Sequence, residues 1–154
     1  MGFLTRMRRL AAGPRGRLLD DLTTAYHGEL KVAQQLRTHA EGVPYPTLAG
    51  NLQRLADTQE ANAALLRSEI ERLGSPVPPP ESSAPRSGRN YWERLTYDLD
   101  DLRAMNRRYI ELAQHWDTEY PEAAGLFSRL ARETGESGKV VRDLVARSDS
   151  HAVD

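Results

Sequence analysis

The chain has 154 residues, 21 Lys and Arg against 22 Asp and Glu, a net charge of −1 and no cysteine. That length suits one domain with a real core, and the lack of cysteine excludes disulfides, thiolate metal sites and a thiol nucleophile. No apolar run approaches a membrane span and the N-terminus lacks the h-region of a secretory signal, so a soluble, cytoplasmic chain is expected.

Residues 1–17, MGFLTRMRRLAAGPRGR, hold Arg6, Arg8, Arg9, Arg15 and Arg17 and no acid, which leaves the remainder net acidic. Phe3, Leu4, Met7 and Leu10 fall at helical spacing before Gly13-Pro14 breaks the pattern. A basic amphipathic arm of this kind suits an anionic surface, membrane or nucleic acid, or a protein partner; a frayed, solvated terminus is the plain alternative.

From residue 18 to 40 the positions Leu22, Tyr26, Ala33, Leu36 and Ala40 form the stripe of an amphipathic helix. Asp20 and Asp21 suit its first turn, where the helix dipole favours anions, and Gly42 and Pro44 end it. A second helix is predicted from Pro46 to Leu73, with Leu48, Leu52, Leu55, Gln59, Asn62, Ala63, Leu66 and Ile70 on one face, stopped by Gly74. The short connection makes residues 18–73 an antiparallel hairpin.

Residues 74–88, GSPVPPPESSAPRSG, hold five of the nine prolines. Extended proline-rich chain covers roughly 3.1 Å per residue, so this stretch reaches roughly 45 Å, and a helix of the predicted length is roughly 42 Å long. The segment can therefore cross the whole bundle. A hinge between independent hairpins is the alternative, but a lone hairpin would leave its apolar stripe uncovered. A second hairpin (89–147) follows, its third helix carrying Leu95, Leu99, Leu102, Met105, Asn106, Tyr109, Leu112 and Trp116, its fourth Leu126, Phe127, Leu130, Thr134, Ser137, Val141 and Leu144. Nothing reads as a strand, and the polar tail 148–154 is expected to be disordered.

The two hairpins share a block. Residues 45–56, YPTLAGNLQRLA, and 120–131, YPEAAGLFSRLA, match at seven of twelve positions with an offset of 75, and Arg67 and Arg72 fall on Arg142 and Arg147. A duplicated unit of about 75 residues is too few copies for a solenoid, so the two must bury their apolar faces against each other. The fold class expected is all-α: a four-helix bundle of 18–147, made of two hairpins joined by a proline-rich crossover.

Long helices paired in this way, with the L-x-x-L-A frame of helices two and four (Phe127 opening the second copy), resemble the ferritin-like superfamily in its small, rubrerythrin-type form. In that family the Ala of the frame is followed three residues later by Glu and six later by His, which hold a pair of metals. Here those places are Gln59 and Asn62 after Ala56, and Thr134 and Ser137 after Ala131. All four are neutral and poor substitutes for carboxylate and imidazole. Glu29 on the first stripe is the one candidate ligand kept; its counterpart falls near Ala104 or Met105, with Asn106 the nearest polar residue.

The resemblance thus implies no metal, no cofactor and no catalytic residue. It implies a hydrogen-bonded polar core layer of Glu29, Gln59, Asn62, Asn106, Thr134 and Ser137, in which a protonated Glu29 could donate to an amide. Gly135 and Gly138 suggest close helix approach or a bend. His39 and His115 read as C-terminal-turn residues facing the dipole, and His27 as partly exposed. The leading function is a metal-free structural or interaction module, self-associating or bound to a protein partner. The alternatives are a divergent iron or manganese protein (oxidase, peroxidase or iron store) recruiting Glu29, Glu60, Glu133 or Glu136, and a nucleic-acid role for the arginine arm.

Overall fold

The structure is a computed structural model that describes residues 13–80 and 82–148. It contains helices α1 (Gly13–Glu41), α2 (Pro46–Arg72), α3 (Tyr91–Trp116) and α4 (Pro121–Arg147), with no strand among the described residues. None of these helices is long and apolar enough to cross a membrane. Arg6, Arg8 and Arg9 of the basic arm, and the tail from 149 onward, lie outside the described residues.

α1 begins five residues before the expected start, with Gly13 at φ 66. Asp20 and Asp21 therefore stand beyond the first turn, which holds no acid. Arg15 and Arg17 belong to α1 rather than to a free arm, and Arg15 donates to the Leu73 carbonyl at the end of α2. There a cation meets the negative end of a helix dipole. Gly74, at φ 76, follows as the left-handed residue, while Ser75 N–H bonds the Ile70 carbonyl at 3.2 Å to close the helix end.

α2 and α4 each run 27 residues, each opening on a proline after a capping tyrosine. Ala49 N–H to Tyr45 O and Ala124 N–H to Tyr120 O are both 2.9 Å. α3 starts on a side-chain cap: Asn90 Oδ1 accepts from Glu93 N–H at 2.9 Å, and Glu93 reaches back to Arg89 N–H at 2.6 Å.

α1 packs along α2 and α3 along α4, while α1 also meets α3 and α2 meets α4; the backbones of the diagonal pairs stay apart. Around the bundle the order is α1, α2, α4, α3. The crossover climbs α1 from base to top, with His27 Nε2 3.2 Å from Pro78 O, Gln35 Oε1 accepting from Arg86 N–H at 3.0 Å, and Arg94 donating to Gly42 and Gly88 carbonyls at 3.3 Å.

Two apolar clusters fill the interior. One holds Leu18, Leu66, Ile70, Trp116, Phe127 and Leu130; the other holds Leu36, Leu52, Leu95, Leu99, Leu102 and Val141. The polar positions 29, 59, 62, 134 and 137 belong to neither cluster, and all five are buried.

Candidate functional site

Heptad-like spacing turns Glu29 of α1, Gln59 and Asn62 of α2, and Thr134 and Ser137 of α4 inward, with at most 4% of any of them exposed. α3 supplies no carboxylate at this level. It supplies Tyr109, whose hydroxyl donates to Glu29 Oε1 at 2.6 Å. Gln59 Nε2 donates to Ser137 Oγ at 3.3 Å, and the Thr134 hydroxyl turns back on the Leu130 carbonyl at 2.6 Å. Asn106, expected in the layer, is only half-buried; its amide donates to the Ala131 carbonyl at 2.6 Å.

The layer is less complete than the sequence suggests. Glu29 Oε2, Gln59 Oε1 and Asn62 Nδ2 have no hydrogen-bond partner among the described residues. Glu29 accepts from Tyr109 at Oε1, and its Oε2 makes no bond to an amide. Burial pushes the Glu29 carboxyl up to about 7, opposed by the Tyr109 hydroxyl and, more weakly, by the Asn62 amide, which faces the carboxylate outside hydrogen-bonding geometry. Burial and the facing Glu29 likewise push the Tyr109 phenol upward, so it remains a donor.

This donor set does not fit the two metals that the resemblance brings to mind. Such a site takes four glutamates and two histidines from four helices, whereas this layer offers one carboxylate, two amides and two hydroxyls. The other candidate carboxylates point elsewhere: Glu60 is exposed and paired with Arg37 at 2.9 Å, Glu136 is exposed and paired with Lys139 at 2.8 Å, and Glu133 is half-buried at the edge of α4. Among the described residues, no three of His, Cys, Asp and Glu gather as ligands.

A second buried polar cluster had no counterpart in the sequence reading. His39 stands in the last turn of α1, as expected, but is 2% exposed and bonded on both ring nitrogens. Its Nδ1 lies 2.8 Å from Asp98 Oδ2 and its Nε2 2.8 Å from the Arg86 carbonyl of the crossover. A carbonyl oxygen only accepts, so Nε2 carries a proton. Gln35 Nε2 donates to Asp98 at 2.9 Å and Asp101 at 2.8 Å, and the Arg86 guanidinium bonds Asp101 at 3.0 Å while lying 4.1 Å over the Tyr97 ring. The cluster ties α1, the crossover and α3 together. Its signal was available: Asp98 falls on the α3 stripe between Leu95 and Leu102, where a carboxylate must find a partner. His115, in contrast, is exposed in the last turn of α3 against Trp116, with ring centroids 4.6 Å apart.

The fold defined by these helices and this crossover is ferritin-like. Among solved structures the chain is similar to a dodecameric thioferritin, the bacterioferritin-related protein of Bacteroides fragilis, with a TM-score of 0.78, 18% identity and 86% of each chain covered. No protein-family model matches the chain, and no curated protein does.

Proposed function

We propose that this chain is a metal-free ferritin-like bundle that works as a structural or interaction module by self-association. The observation that carries this reading is the mid-bundle layer. At the four positions where the resemblance places Glu and His stand Gln59, Asn62, Thr134 and Ser137, and the single carboxylate, Glu29, is held by the Tyr109 hydroxyl at 2.6 Å. A carboxylate so buried and raised to about 7 is partly neutral at physiological pH and a weak metal ligand. Self-association draws support from the similar thioferritin, which is a dodecamer.

Metal content and native mass, measured on the same sample from iron-supplemented culture, test both halves. The expected result is a multiple of the 17.3 kDa chain mass with no stoichiometric iron or manganese. Stoichiometric metal that disappears in Glu29→Ala would instead establish the divergent metalloprotein.

A further inference from the structure

We propose that the groove between α3 and α4 binds a phosphate group, either inorganic phosphate or the phosphate of a small phosphomonoester. The groove encloses about 200 Å³ and is lined by Arg103 and Arg107 from α3 and by Lys139 and Arg142 from α4. No acidic residue lines it. Lys139 is shared with Glu136 at 2.8 Å and Arg142 touches Asp143 only at 3.4 Å, both acids outside the groove, while Arg103 and Arg107 have no ion-pair partner among the described residues.

This arrangement works against the fold in two ways at one place. Arg103 and Arg107 stand one helical turn apart, where like charges repel and destabilise a helix. Opposite them, Gly135 and Gly138 lie within α4, and glycine within a helix is unfavourable relative to alanine. Packing accounts for one glycine only. A Cβ on Gly135 would come 3.3 Å from Asn106 Nδ2, but a Cβ on Gly138 would meet nothing within 4 Å, so no neighbouring helix demands that residue. Its effect is to keep the groove floor open, beside the polar groups of Asn106 and Thr134.

A tetrahedral dianion answers both features. Guanidinium groups bind phosphate oxygens in bidentate fashion, and the Lys139 ammonium adds a point charge from the other wall. The cavity has room for a phosphate and a few further atoms. Four cations converge on a groove of this small volume, so a compact anion is the better fit.

Isothermal titration calorimetry of the full-length protein at constant ionic strength, with inorganic phosphate and with phenyl phosphate, tests this. One saturable site is expected, at least about tenfold weaker in R103Q/R107Q. Gly138→Leu retains every charge and fills the floor, and should weaken binding to a similar degree. It also carries the test should the double-arginine variant fail to fold. R129Q/R132Q, which removes two charges from α4 outside the groove, should bind like the parent. Tighter binding of phosphate identifies the free ion as ligand; tighter binding of phenyl phosphate identifies an ester; either supports the site. Absence of saturable binding, equal binding in parent and groove variants, or equal weakening in R129Q/R132Q would overturn it. So would binding of a DNA oligonucleotide with neither phosphate probe.

Discussion

Glu29 and the pair His39 and Asp98 are equally buried, yet their surroundings handle buried polarity differently. At Asp98 both carboxylate oxygens are bonded, one by Gln35 and one by His39, and the His39 ring spends its second nitrogen on the Arg86 carbonyl. At Glu29 one oxygen is bonded by Tyr109, and the other has no partner. A carboxylate with both oxygens bonded has its polarity met in the interior, whereas Glu29, facing a phenol and amides with one oxygen unbonded, is driven toward its neutral form. The Asp98 cluster is therefore a fastening between the hairpins, and the Glu29 layer is a tolerated polar seam between two apolar cores.

Removing one member of each cluster should expose this difference most strongly. Asp98→Ala leaves His39 Nδ1 buried without its partner and Gln35 with Asp101 alone, and loss of one partner from a buried pair costs about 3–5 kcal/mol. In a chain of this size that lowers the melting temperature by about 2–4 °C per kcal/mol, read by calorimetry. A change of less than about 1 kcal/mol would show that the cluster does not fasten the hairpins.

The pH profile separates the two next. The Glu29 pKa lies at about 7 in the folded chain against an ordinary value of 4.5, so the folded state binds more protons between those limits. Stability from this group is fully present below about pH 4.5 and is lost as pH rises through 7, by up to roughly 3 kcal/mol. Urea unfolding of wild type and Glu29→Gln across pH 5–8 should diverge in that sense, with the Gln variant flatter. Parallel profiles would show that Glu29 is ionised throughout.

A smaller effect is expected from shape without polarity. Glu29→Leu strands the Tyr109 hydroxyl and should cost about 1–3 kcal/mol near pH 5, whereas Glu29→Gln, able to accept from Tyr109, should be close to neutral there. The smallest effect lies outside both clusters: Asn90→Ala removes the α3 cap and should cost about 1 kcal/mol in thermal unfolding.

Periodicity revealed the bundle because its signal is local and repeated. The Leu52, Leu55, Leu66 and Ile70 stripe, the terminal Gly74 and the length of the proline-rich stretch each carry their own physical reading. The frame after Ala56 and Ala131 located Gln59, Asn62, Thr134 and Ser137 as well, and all four are buried. What stayed hidden depends on the rotation of one helix against another. Tyr109 read as one more apolar position, because nothing in its own helix shows that its hydroxyl meets Glu29 across the bundle. His39 is the helix-end residue it read as, but its burial stayed hidden because one of its partners, the Arg86 carbonyl, comes from an irregular segment. The early start of α1 was obscured by Pro14, which breaks a helix interior but suits a first turn.

The central proposal, that the mid-bundle layer binds no metal, is tested most directly by manganese and ferrous-iron titration of two proteins under anaerobic conditions. One is the parent; the other carries Gln59→Glu, Asn62→His, Thr134→Glu, Ser137→His and Met105→Glu, since Met105 packs against both apolar clusters while Ala104 is exposed. The account predicts no saturable binding in the parent and clear affinity in the restored variant. Stoichiometric binding by the parent, abolished by Glu29→Ala, would contradict it.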